Sequence, residues 1–168
     1  MSKNTDAPDS STRLRPGTRV AVVVSSYHAE LNGEMADSAA DTLRDAGLED
    51  ANRIDVTAPG AYELPILAQA LAVREDVDAV LCFGLVLRGE TDHDRYISAA
   101  VADALQRVGL NNEKPVLFGL LTCNTLDQAI ARARRGEGGH DKGREVARAA
   151  IETLAALDRI RSLGEAGR

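Results

Sequence analysis

A chain of 168 residues, 44% hydrophobic and 27% charged, is long enough to bury one sizeable core and too apolar to be wholly disordered. Its net charge of -6 offers no broad basic footprint for a phosphate backbone, which argues against nucleic-acid binding. No apolar stretch approaches the ~20 residues of a membrane span, and the polar opening MSKNTDAPDSSTRLRPG has no secretory pattern; a cytoplasmic chain without membrane contact is expected.

Residues 1–18 are rich in Ser, Thr, Asp and Pro and read as a flexible arm, with room for part of it to order against a neighbouring subunit. The domain is expected over 19–163, with a short tail over 164–168. Arg19–Ser25 is a continuous β-branched run suited to a strand covered on both faces. Leu31, Met35, Ala39 and Leu43 then recur at helical spacing before Ala46 and Gly47, predicting an amphipathic helix with a glycine stop. A second strand over Arg53–Ala58, a helix from near Tyr62, a third strand over Val77–Phe83 and a helix over His93–Val108 follow by the same logic.

Pro115–Leu121 reads as a fourth buried strand, DQAIARARR as a short helix, and Lys142–Leu163 as a long helix after a Gly-rich break. In that last helix Val146, Ala149, Ala150, Thr153, Leu154, Leu157 and Ile160 form the expected core stripe. Strands alternating with helices predict a single α/β domain: a four-stranded parallel sheet flanked on both faces by helices, with flavodoxin-like layering. Ligands of open parallel sheets sit beyond the carboxyl ends of the strands. The segments to inspect are therefore Ser25–His28, Ala58–Glu63, Gly84–His93 and Thr122–Thr125.

The chain has three Tyr, two Phe and no Trp, so the core is built from aliphatic residues and aromatics just past strand ends stand out. Tyr27 fits a stacking surface for a flat heterocycle and a helix-packing residue equally well. At the second segment, unpaired backbone N–H groups and Glu63 can grip a polar ligand, although the helix dipole alone also explains Glu63. The loop Arg88–His93 joins a permissive backbone, the Thr91 hydroxyl, N–H groups at a helix start and an imidazole. Such a loop can hold an anion while His93 moves a proton near neutral pH.

Phe118 lies inside a strand, where core packing is the default. Arg132, Arg134 and Arg135, followed by Lys142, fit either a solvated helix end or a phosphate clamp. Cys82 and Cys123 lack metal-ligand spacing and read as small buried side chains. No GxGxxG, Walker loop, CxxC or HExxH occurs, so nicotinamide, nucleoside triphosphate and zinc chemistry have no motif behind them.

From about Arg19 to Arg161 the chain resembles the lumazine synthases. The likeness rests on Pro59-Gly60-Ala61-Tyr62-Glu63-Leu64-Pro65, on Gly84 to His93 (GLVLRGETDH), on Phe118 to Thr122, on Gln128 to Ala133 and on Asp141-Lys142-Gly143, in the family's order and at near-constant spacing. The resemblance implies condensation of 5-amino-6-(D-ribitylamino)uracil with 3,4-dihydroxy-2-butanone 4-phosphate to 6,7-dimethyl-8-ribityllumazine, with no cofactor and no metal. It implies that Tyr27 stacks on the pyrimidine with His28 in the same turn, that Ala61, Tyr62 and Glu63 receive the ribityl chain, and that Leu85, Val86 and Leu87 line the ring pocket. Glu90 and Thr91 would hold the phosphate with Arg132 from a neighbouring subunit, Phe118 would come across a subunit boundary, Lys142 would complete the site, and His93 would shuttle protons.

Three departures from the family pattern matter. Asp94 and Arg95 follow His93 where an aromatic and then an acidic residue are usual. Ser26 and His28 stand where Arg and Asn are common, and the Gly-rich break is about two residues longer than in many relatives. An insertion there is linked in the family to pentamers that cannot close into a shell, so a homopentamer or decamer with sites at its interfaces is expected. The alternative is a flavin- or lumazine-binding relative with little or no turnover.

Overall fold

The computed structural model describes residues 12–135 and 140–165. Four parallel strands, β1 (Val20–Ser25), β2 (Arg53–Ala58), β3 (Ala79–Leu87) and β4 (Val116–Cys123), pair in the order β2-β1-β3-β4. The helices are α1 (Ala29–Asp45), α2 (Leu64–Ala72), α3 (His93–Asn112), α4 (Leu126–Ala133) and α5 (Lys142–Glu165), with short 3-10 turns at Asp50–Asn52 and Ala61–Glu63. This is the expected single α/β domain with an all-parallel sheet. Among the described residues no helix is long and apolar enough to cross a membrane.

The central strands β1 and β3 show no polar alternation because both their faces are covered, whereas edge strand β2 turns Asp55 and Thr57 outward. Val20 and Val22 of β1, with Leu81, Phe83 and Leu85 of β3, pack under Leu31, Met35 and Leu43 of α1 and Val146 and Ile151 of α5. The intervening residues Ala21, Val23, Val80 and Cys82 point the other way, under Leu64 and Ala68 of α2 and Val101 and Leu105 of α3. Each large aliphatic side chain buried in this way contributes roughly 1.5–3 kcal/mol. The predicted α1 stripe is buried throughout, and the helix stops at Gly47 (φ 103°), with Leu48 N–H donating to Leu43 O at 2.9 Å.

Several boundaries differ from expectation. The third strand runs on through Gly84 to Leu87 instead of ending at Phe83, because β4 keeps pairing with it as far as Leu87↔Cys123. The glycine at 84 leaves room for two leucine side chains: a Cβ there would lie 2.7 Å from Leu120 Cδ1 and 3.2 Å from Leu64 Cδ1. The helix expected from Tyr62 begins at Leu64 after a 3-10 turn, and α3 continues four residues beyond Val108, to Asn112. In α5 the buried positions are Gly143, Val146, Ala147, Ala150 and Ile151, whereas Ala149, Thr153 and Ile160 of the expected stripe are exposed. Phe118, the default core residue, is 39% exposed on an edge strand.

Residues 1–11 and 166–168 of the expected arm and tail, and 136–139 of the Gly-rich break, lie outside the described residues. The stretch 12–18 lies on the domain itself: Leu14 is buried in the core and its N–H donates to Ala46 O at 2.9 Å.

Candidate functional site

Chain order reverses at β1, which has β2 on one side and β3 on the other. In an open parallel sheet this switch point leaves a crevice at the carboxyl ends of the strands. The turns after β1, β2 and β3 open there onto one cleft of about 580 Å³, within the usual size of small-molecule sites. Its lining contains Tyr27, His28, Ala61, Tyr62, Glu63, Leu85, Val86, Leu87, Thr91 and His93, all named from sequence.

The first wall is the β1–α1 turn. Ser26 ties it to the neighbouring turn through its N–H to Ala58 O (2.8 Å) and its hydroxyl to Pro59 O (3.0 Å). His28 caps α1 in the left-handed conformation (φ 63°), and its ring meets the Tyr27 ring edge-on with centroids 4.8 Å apart. Tyr27 is 69% exposed, so the helix-packing reading does not hold.

The second wall is the 3-10 turn Ala61–Glu63. Leu64 is fully buried and anchors the turn over Gly84, while Pro65 suits the first turn of α2, where no intrahelical N–H partner is lost. Glu63 turns its carboxylate back over Gly60, where a Cβ would sit 3.0 Å from Glu63 Oε2.

The third wall is the end of β3 and the loop to α3. Arg88 N–H donates to Cys123 O at 2.9 Å, extending the ladder one step before the chain leaves the sheet. Asp92 then caps α3 through its carbonyl, which accepts from Arg95 N–H and Tyr96 N–H; its side chain makes no capping bond. His93 is the first residue of α3 and is exposed. Sequence reasoning passed over Ile97, which lines the cleft one helical turn beyond His93, and Asp94 also reaches it. Among the described residues no carboxylate is hydrogen-bonded to His93.

Glu90, Phe118, Arg132 and Lys142 do not line this cleft. Glu90 is exposed in the loop before Thr91, and Phe118 lies on edge strand β4. The arginine cluster divides. Arg134 pairs with Glu30 (2.9 Å) and Glu34 (3.2 Å), and Arg135 with Asp41 (2.6 Å), so these two are solvated ties to α1. Arg132 donates to Gln128 O at 3.1 Å and has no carboxylate partner among the described residues. Its helix is capped by Thr125, whose hydroxyl accepts from Gln128 N–H, while the Gln128 side chain accepts from Asn124 N–H. Arg132 lies near enough to the end of β4 to oppose the upward shift that burial gives the Cys123 thiol. Cys82, wholly enclosed, is pushed up to about 12 by burial.

Lys142 opens α5 and pairs with Glu145 at 2.6 Å. The flanking residues are structural. Asp141 caps the helix, accepting from Arg144 N–H at 3.1 Å and from the Ser38 hydroxyl at 2.5 Å. Gly143 lets α5 press on α1, since a Cβ would fall 2.0 Å from Met35 O. Among the described residues no three His, Cys, Asp or Glu side chains group to hold a metal ion.

The family model for 6,7-dimethyl-8-ribityllumazine synthase matches residues 17–158. A 6,7-dimethyl-8-ribityllumazine synthase of Salinibacter ruber is 40% identical over 144 residues, covering 86% of this chain and 91% of that protein. The protein named 6,7-dimethyl-8-ribityllumazine synthase 1 of Caulobacter vibrioides is 42% identical over 143 residues, covering 85% and 92%. A synthase of the same name from Frankia casuarinae is 44% identical over 141 residues, covering 84% and 86%. With the match spanning the whole sheet and all three walls of the cleft, the chain belongs to the 6,7-dimethyl-8-ribityllumazine synthase family.

Proposed function

We propose that the chain condenses 5-amino-6-(D-ribitylamino)uracil with 3,4-dihydroxy-2-butanone 4-phosphate to form 6,7-dimethyl-8-ribityllumazine, the ring-building step before riboflavin. The observation that carries this reading is the convergence of three separate turns on one cleft that has an exposed aromatic wall, a carboxylate and an imidazole at a helix start. Tyr27 stacks on the pyrimidine with His28 beside it. Ala61, Tyr62 and Glu63 receive the ribityl hydroxyls, and Leu85, Val86 and Leu87 line the ring pocket. Thr91 and the N–H groups at the start of α3 hold the phosphate end, with Glu90 beside them in the loop outside the cleft.

His93 moves protons as the amine and ketone form an imine with loss of water, as phosphate leaves, and as the second amine attacks the remaining carbonyl to close the ring with loss of a second water. Every bond change is a condensation or an elimination, so no electron acceptor is needed. Holding both reactants in one cleft is worth an effective molarity of roughly 10⁵ M or more, against about 10²–10⁴-fold for proton transfer. Positioning therefore dominates the rate.

Phe118, Arg132 and Lys142 complete the site from a neighbouring copy in a homopentamer or a pair of pentamers. Their position outside this chain's own cleft supports that arrangement, as do the exposed apolar residues Ile66, Tyr96 and Leu110. Light scattering is expected to give a pentamer or decamer mass; a megadalton shell refutes it.

The test is to mix purified protein with both substrates and follow lumazine fluorescence together with phosphate release. Product at a rate far above the uncatalysed mixture is expected; a pyrimidine that does not bind sinks the reading. A second reading, ligand binding without turnover, is favoured by the lack of a carboxylate on His93 among the described residues. It predicts tight pyrimidine binding with no phosphate released.

A further inference from the structure

We propose that Asn32 is a positioning residue for the aromatic wall of the cleft and that its side-chain amide sets affinity for the pyrimidine. The inference rests on the function proposed above, and the observations behind it are local. Asn32 is fully buried, and its Nδ2 donates to Ser25 O at 2.9 Å and to Tyr27 O at 2.7 Å. Two carbonyl oxygens converging on one atom require a donor with two hydrogens, so the amide nitrogen must face them. A carboxylate has none to give and a hydroxyl has one.

The Tyr27 ring has little else to hold it. It is 69% exposed, and its ring contact among the described residues is the imidazole of His28, the next residue in the same turn. The ring therefore goes where the backbone of this turn goes. That backbone is uncommon, because His28 sits at φ 63°, a left-handed conformation that costs a non-glycine residue free energy and persists where its surroundings hold it. The Asn32 amide clamps both ends of the segment leading into His28, and Ser26 ties the same segment to Ala58 and Pro59.

A buried two-bond clamp beside a left-handed backbone, under an aromatic ring that faces a ligand cleft, is the arrangement of a pre-organised binding wall.

The variants are Asn32→Asp, which removes both donated bonds, and Asn32→Ser, which keeps one donor at smaller volume. Steady-state kinetics is run with each substrate varied in turn. The expected result is a KM for 5-amino-6-(D-ribitylamino)uracil raised about tenfold or more in Asn32→Asp and less in Asn32→Ser. The KM for the phosphoketone and kcat at saturating pyrimidine stay within about twofold. An unchanged pyrimidine KM overturns the proposal, as does a fall in kcat with both KM values unchanged, which is what a merely structural residue gives by lowering the folded fraction, or an equal rise in both KM values. If Asn32→Asp does not fold, Asn32→Ser decides. If the wild-type chain makes no lumazine, the proposed reaction fails on its own. Calorimetric titration of the same pyrimidine onto wild type and Asn32→Ser then decides the clamp: weaker binding to the variant upholds it and equal binding overturns it.

Discussion

Gly143→Ala is a single methyl placed against backbone. Its Cβ would lie 2.0 Å from Met35 O, 2.8 Å from Met35 C and 2.8 Å from Ser38 Cβ. Restoring an ordinary separation of about 3.5 Å requires the first turn of α5 to back away from α1 by roughly 1.5 Å. The struck atoms belong to the main chain of a packed helix, so the strain falls at the upper end of the usual ~1–3 kcal/mol for overpacking.

The same displacement stretches the Ser38 hydroxyl to Asp141 bond, now 2.5 Å and buried, whose loss costs a further ~1–3 kcal/mol. Alanine regains about 1 kcal/mol of helix propensity. The net destabilisation is about 4 kcal/mol. Gly143 does not have a positive φ, so this figure comes from space alone. Urea unfolding at fixed protein concentration should show a midpoint lower by roughly 2 M for an m-value of about 2 kcal/mol/M. Lys142, held between Asp141 and Gly143, moves with the turn, so turnover should fall as well. A variant unfolding at the wild-type midpoint would show that the close approach of α5 to α1 is not as described.

His93→Ala is expected to slow lumazine formation by about 10²–10⁴-fold without abolishing it; a native rate in a stopped assay removes His93 from the mechanism. Arg132→Ala should raise the KM for the phosphoketone well beyond that for the pyrimidine, and equal increases contradict its role as a phosphate clamp. Cys82 should resist a thiol reagent at pH 8 in the native protein and react once urea unfolds it, because burial holds its thiol protonated up to about 12. The native state therefore keeps this proton where the unfolded chain releases it above about pH 8.5, so this contribution to stability is complete below that pH and is lost as pH rises toward 12. Rapid labelling of native Cys82, read by peptide mass, would contradict its burial.

How much was legible beforehand varies from element to element. The α1 stripe and its glycine stop are written in local spacing, and the motif Pro59–Pro65 marks its turn by composition. Gly84 misled, because a glycine inside an apolar run reads as a strand end until Leu120 and Leu64 are seen filling the place of its missing side chain. Phe118 misled in the opposite direction, since a strand residue is taken as core unless its strand is known to lie at the edge. Asn32 gave no signal at all: nothing in its neighbourhood in the chain tells that its amide will close on the carbonyls of Ser25 and Tyr27.

Periodicity and composition were enough for an α/β chain with its ligand groups clustered after the strands, because helix and strand patterns depend on residues a few positions apart. Strand order was not accessible in this way. Placing β1 between β2 and β3, and so bringing Tyr27, Tyr62 and His93 to one crevice, is decided by which hydrophobic faces can be covered together across the whole chain. The same holds for the division of the arginines, where Arg134 and Arg135 meet α1 carboxylates and Arg132 does not. Ion pairs between segments about a hundred residues apart exist only once packing has brought those segments side by side.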